Sequence, residues 1–201
     1  MITTEEPAQI LAPAVPAQLI RETLNGRPLY YKGYRDVLAG RAKPQEIMGG
    51  SDLQSVLVTA IVATLWSRVD RKRYKLASSE AGLHMGQGNN FAANIAIFDK
   101  ATLPALKGKY FDVPPKVMIE VDIRIEWDGP TDSVNYLLEK SQKLFEFGVE
   151  RVLWVLTTSR KIVVMQAGQD SIITDWSNDV LVLEDCTLNI KNLLDEEEIV
   201  Y

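Results

Sequence analysis

The chain has one cysteine and one histidine in 201 residues, Cys186 and His84. A lone thiol excludes an internal disulfide framework and fits a reducing compartment. A lone imidazole with no nucleophile motif around it is a poor start for a Ser-His-Asp hydrolase, so His84 reads as a surface or packing residue. Long apolar runs are also missing. The longest candidate, 56–66, is shorter than the ~18 residues a membrane helix needs and carries threonines. The opening MITTEEPAQ has no basic stretch of the kind that begins a secretory signal. The expectation is a cytoplasmic protein with no membrane partner. Gly86 and Gly88 lack the Gly-Lys-Ser/Thr of a phosphate loop and read as a turn. Basic residues are not in excess: 22 Lys+Arg against 27 Asp+Glu give a net charge of −5. That argues against a general nucleic-acid coat protein and leaves room for a local basic groove.

What is present is enough for a core, with 46% hydrophobic residues. The length implies one domain with an extension. Residues 1–18, with Pro7, Pro13 and Pro16, read as an extended arm, and 19–201 as a single domain. A short helical start is expected near Leu19, with turns at Asn25-Gly26 and Gly40. A helix is expected over 51–69: Ser51 follows Gly49-Gly50 as an N-cap, and Leu53, Val56, Leu57, Ala60, Ile61, Thr64 and Leu65 recur on one face. Asp70, Arg71, Lys72 and Arg73 end it with charge. Strands are expected over 74–80, 94–98 and 116–123, with a Gly/Asn-rich turn over 85–90. A helix over 132–147 has the inner stripe Leu137, Leu138, Ser141, Leu144 and Phe145, closed by Gly148. Strands over 151–157 and 161–166 are joined by Thr158-Ser159-Arg160, a hairpin signal. Weaker strands fall at 180–183 and 187–190, before an acidic tail. This order is an α/β pattern with a mixed β-sheet flanked by helices, and 116–157 reads as a right-handed crossover.

The stretch 114–155 carries the one plausible chemistry. Its strand ends in Glu120 and Asp122, two residues apart and so on one face. The following helix can bring Lys140 back to them. Two carboxylates and an ammonium can hold a divalent metal and stabilise charge on a phosphate. The blander reading treats the carboxylates as solvated strand-end groups, with Asp122 at most pairing Lys140, and treats Lys140 and Lys143 as surface lysines beside Glu139. Tyr30, Tyr31, Lys32, Tyr34 and Arg35 mix rings and cations as nucleic-acid surfaces do, though half-buried tyrosines with snorkelling cations are commoner. Trp66 and Trp154 lie in apolar stripes and are expected in the core.

An apolar strand ending in Glu120-x-Asp122, a Lys-bearing helix, Gly148-Val149 and Val152-Leu153-Trp154-Val155 together resemble the restriction-endonuclease-like PD-(D/E)XK superfamily. Within it they resemble a bacterial endonuclease subgroup whose lysine has moved from the strand onto the helix. Lys140 lies eight residues before Gly148, as in that subgroup. The segment GRPLYYKGYRDVLAG and the helix after Gly50 also look like its N-terminal half, so the resemblance covers about 20–166. It implies a restriction-endonuclease-like core and phosphodiester hydrolysis in nucleic acid, DNA foremost. Mg²⁺ or Mn²⁺ would be held by Glu120, Asp122 and Asn94, and Lys140 would orient water or neutralise developing charge. It also allows a homodimer. One departure stands out. The subgroup's first acidic ligand follows a proline, and the matching position here is Asn94 after Ala93. An amide oxygen brings no charge. Asp122 could restore it, and Glu80 could contribute. The site is therefore either rearranged and working or decayed. In the second case the chain would be a catalytically inactive binding or assembly module. A protein with no site at all is the remaining alternative.

Overall fold

The computed structural model describes residues 15–123, 125–126 and 133–201. The expected arm at 1–18 lies outside it except for its last residues, which form a 3₁₀ turn, Ala17–Leu19. The chain then runs β1 (Ile20–Leu24), β2 (Arg27–Tyr31), α1 (Tyr34–Leu38), α2 (Pro44–Met48), α3 (Asp52–Arg68), β3 (Tyr74–His84), β4 (Asn90–Asp99), β5 (Val117–Val121) and β6 (Ile125–Glu126). It continues through α4 (Ser133–Phe147), β7 (Arg151–Leu156), β8 (Lys161–Gln166), β9 (Ile172–Asp175), β10 (Val180–Leu183), β11 (Cys186–Leu188) and α5 (Ile190–Glu196).

Among the described residues nine strands form one sheet, ordered β6-β2-β1-β4-β5-β7-β8-β9 with β3 on β4. Among the described strands only β5 and β7 pair in parallel; α4 is the crossover between them. Every other ladder is antiparallel, so the sheet is mixed. All five residues of β5 are buried. That follows from its position: Ile119 and Val121 belong to the core layer shared with α3 and α5, and Met118 to the layer under α4. A strand covered on both faces shows no alternation to read.

Several expectations hold. Ser51 caps α3 by accepting the Gln54 N–H at 3.2 Å, and Leu57, Ala60, Ile61 and Leu65 are its buried face. Gly148 closes α4 at φ +115°, a region open to glycine. The Val149 N–H completes the cap by donating to the Leu144 carbonyl. The helix expected over 132–147 and the strand pair around Thr158-Ser159-Arg160 are present, and Trp154 is core.

Others need correction. The segment after Leu19 is a hairpin. Asn25 and Gly26 both take positive φ, 53° and 75°, the geometry of a tight two-residue turn whose twist suits paired strands. The strands expected over 74–80 and 94–98 are longer, running to His84 and from Asn90, and the expected turn around Gly86 and Gly88 joins them. The start of the tail forms α5, with Ile190, Leu193 and Leu194 buried. Trp66 is not in the core. It lies in the last turn of α3 with 49% of its surface exposed.

Candidate functional site

The centre of the molecule is a buried ammonium. α4 presents Tyr136, Leu137, Lys140, Ser141 and Leu144 to the sheet. Tyr136, Lys140 and Leu144 are successive i, i+4 neighbours, so the lysine stands in the middle of the inward stripe. The expected stripe omitted Tyr136 and included Leu138, which is exposed. Lys140 is 1% exposed, and its Nζ lies 5.2–5.7 Å from the ring centres of Phe91, Tyr136 and Trp154. The rings face the cation but cannot neutralise it. Two carboxylates do. Nζ donates to Glu120 Oε1 at 2.6 Å and to Glu22 Oε1 at 2.8 Å, and Glu22 and Glu120 are 2% and 3% exposed.

Glu22 comes from β1 and was not among the residues singled out from the sequence. It also accepts the Tyr136 hydroxyl at 2.8 Å and the Ala92 N–H at 3.1 Å. The signal that could have found it is Asn25-Gly26 between two short apolar-polar runs. Reading that as a hairpin puts Glu22 on a strand beside the sheet centre.

Asn94 on β4 adjoins the cluster. Its N–H points at Glu120 Oε2 at 3.4 Å, its Oδ1 accepts the Val121 N–H at 2.8 Å, and its Nδ2 donates to Glu80 Oε1 at 3.1 Å. The Val121 donor fixes the amide: only oxygen can face an N–H. Glu80 sits in a β3 bulge, where the register slips between Ser78 and Ala81 and both Ser79 and Glu80 take positive φ. Such strain collects at functional positions. The other Glu80 oxygen accepts from the Arg21 guanidinium at 2.6 Å. Arg21 and Glu22, neighbours at a register slip in β1, both enter the network.

Asp122 is not part of it. The expectation that it shares a face with Glu120 assumes a regular strand through both. β5 ends at Val121, and Asp122 turns to φ +62°. Its carboxylate accepts the Thr157 N–H at 2.8 Å and the Thr157 hydroxyl at 2.7 Å. It ties the end of β5 to the end of β7, and no contact joins it to Lys140. The structure thus brings together Glu120, Lys140 and Asn94, adds Glu22, Glu80 and Arg21, and takes Asp122 elsewhere.

Electrostatics follow from burial. Burial pushes the Glu120 carboxyl up from 4.5 to about 7, the Glu22 charge adds to the rise, and Lys140 and Arg21 oppose it. Burial alone would lower Lys140, but the Glu120 and Glu22 charges reverse this and hold it well above its usual value. Tyr136 is pushed well up, first by burial and then by Glu22.

The donor set does not fit a divalent cation. Glu120 Oε1 is held by the ammonium, Glu22 by three donors, and Asp122 by Thr157. The Asn94 oxygen is held by Val121, so its NH₂ is the group facing Glu80, which is the wrong polarity for a metal. No buried side-chain nitrogen or oxygen lacks a partner among the described residues. Nor, among them, do three or more His, Cys, Asp or Glu side chains form a metal-holding group.

No family model and no curated protein matches this chain. A solved structure does. It is a crystal structure from Anabaena variabilis ATCC 29413 described as a "putative nuclease belonging to DUF820", 15% identical, with a TM-score of 0.65 over 87% of this chain and 89% of that one. At that identity the likeness is one of fold. The large mixed sheet flanked by helices is the architecture the two chains share. Among the described residues no helix is long and apolar enough to cross a membrane.

Two outcomes follow from the buried cluster. Lys140→Met leaves two buried carboxylates without their cation, and urea denaturation should show a loss of about 3–5 kcal/mol. A loss below about 1 kcal/mol would mean that the ammonium is not the partner both carboxylates depend on. The raised Glu120 acid gives the second. Its folded value exceeds its unfolded one, so the stability it contributes is complete below about 4.5 and is lost as pH rises through about 7. Thermal melts of wild type and Glu120→Gln should therefore diverge, with wild type losing Tm relative to the variant between about pH 5 and about pH 8. Parallel Tm profiles would refute the burial effect.

Proposed function

We propose that this chain is a nuclease-fold protein that binds nucleic acid without cutting it. One observation carries the reading: Lys140 is sealed between Glu22 and Glu120, and every candidate ligand oxygen nearby already has a protein donor. A working centre needs ligands that can turn to a metal and an ammonium that can reach a phosphate or its attacking water. Here the same residue types hold the sheet to α4. Nucleic acid as partner is supported by the likeness to a chain described as a "putative nuclease".

A second reading, metal-dependent phosphodiester hydrolysis, keeps one observation on its side. Glu80, Asn94 and Glu120 still meet by hydrogen bonds, and Glu80 and Asn94 line an open cavity of about 440 Å³ between α3 and β3. Under that reading Glu120, Asn94 and Glu80 would hold Mg²⁺ or Mn²⁺. Asp122 could join only by releasing Thr157.

Incubation with supercoiled plasmid, single-stranded DNA and RNA in Mg²⁺ or Mn²⁺ distinguishes the two. Wild type should leave all three intact. Asn94→Asp puts a third carboxylate beside Glu80 and Glu120, and calorimetry should show it gaining Mn²⁺ affinity over wild type. Cleavage by wild type that disappears in Glu120→Gln would overturn the silent reading in favour of the hydrolytic one.

A further inference from the structure

The Glu80–Asn94 cavity is one end of a longer feature. It is lined on α3 by Ser55, Val58, Thr59 and Val62, and on β3 by Ser78 and Ser79. A second cavity of about 220 Å³ lies beyond it, lined by Trp66, Arg71, Tyr74, Lys75, Leu76 and Lys100. Ser55, Thr59, Val62 and Trp66 succeed one another at helical spacing, so the two cavities line up along one stripe of α3 facing β3. From Ser55 to Trp66 the helix rises about 16 Å.

The far end has a distinct chemistry. Trp66 is the largest side chain among the exposed hydrophobics, and the Arg71 guanidinium lies 5.0 Å from its ring centre. Lys100 donates to the Arg71 carbonyl, which fixes the two basic residues beside each other. Arg71, Lys75 and Lys100 are exposed, and none of them forms an ion pair among the described residues. The contrast with neighbouring Arg73 is direct, because Arg73 pairs with Glu184 and Asp99. No carboxylate lines this cavity. In a chain of net charge −5, three cations with no carboxylate partner among the described residues, set around a half-exposed indole, are a local reversal of charge.

We propose that the α3–β3 groove binds single-stranded nucleic acid, with a base stacked on the Trp66–Arg71 pair and phosphates held by Lys75, Lys100 and Arg71. Flat aromatic surface next to cations is what a nucleotide recognises: the ring accepts any base face, and the cations take the backbone. The hydroxyls of Ser78 and Ser79 supply neutral donors on the β3 side of the groove, while those of Ser55 and Thr59 donate back along α3 and can only accept. Glu80 at the other end is a carboxylate that repels a phosphate, so the strand is expected to end short of it. This rests on the nucleic-acid reading above and specifies its surface.

The test is fluorescence anisotropy with a labelled single-stranded DNA of about 12 nucleotides, at low salt and at rising salt. Wild type should bind, and affinity should fall as salt rises. Trp66→Ala should weaken binding about tenfold, since one stacked base is lost. Lys75→Glu with Lys100→Glu should weaken it further and flatten the salt dependence. These side chains are exposed, so the variants should fold, and circular dichroism melts check that. Lys143→Glu, on the outer side of α4, is the control and should bind as wild type. If the oligonucleotide binds equally well to wild type and to the Trp66 and Lys75/Lys100 variants, the groove assignment is wrong while the nucleic-acid reading stands. Should polyglutamate displace the oligonucleotide at equal charge and Trp66→Ala have no effect, the surface is a general anion patch and the proposal also fails. No binding by wild type at any salt overturns both.

Discussion

Removing an ammonium from water is costly, and it stays charged inside a protein only when opposite charge and hydrogen bonds surround it. Lys140 meets that condition with Glu120 on one side and Glu22 on the other, and the packing around it follows from the requirement. α4 must sit with Tyr136 and Lys140 toward the sheet. The β1–β2 hairpin must close against β4 so that Glu22 arrives. β5 must run through the middle of the sheet so that Glu120 stands under the helix. Each partner belongs to a different element, so the network links the hairpin, the central strand and the crossover helix at one point.

Around this point the backbone departs from regularity in ways that keep the charges satisfied. The slip at Arg21 lets adjacent residues of β1 serve Glu80 and Lys140. The bulge at Ser79-Glu80 aims a carboxylate at the Asn94 amide. The turn at Asp122 diverts a second carboxylate onto Thr157, so it does not crowd Glu120. Glu22 and Glu120 already outnumber the one ammonium, and a third negative charge beside them would add to the excess. Diverting Asp122 and placing a neutral amide at position 94 both act against that excess.

Much of the fold was legible because its cues are local. Ser51 after two glycines, the apolar stripe of α3, Gly148 after α4 and the β7–β8 hairpin each carry their own signal. That the crossover helix brings Lys140 back to the end of β5 was expected, although for Asp122 as well as Glu120. What escaped is non-local or hidden. Glu22 is far from the cluster in sequence and depended on reading Asn25-Gly26 as a hairpin. Asp122 was misplaced because alternation holds only while the strand lasts, and nothing in the residues of β5 marks its end at Val121. Trp66 looked like core because it adjoins the apolar stripe of α3, yet its neighbour Leu65 is the buried residue there, and Trp66 stands half-exposed with Arg71 over its ring. Asn94 was recognised as a departure from the pattern, but the direction of its amide needed the Val121 N–H to settle it.

A cluster closed to metal separates a structural role for Lys140 from a catalytic one. Crystals grown in Mn²⁺ and measured at the manganese absorption edge address this directly. The account predicts no anomalous peak within coordination distance of Glu120, Asn94 or Glu80, and a Lys140 Nζ still bonded to Glu22 and Glu120. A manganese peak bound by Glu120, with the ammonium released from it, would contradict it.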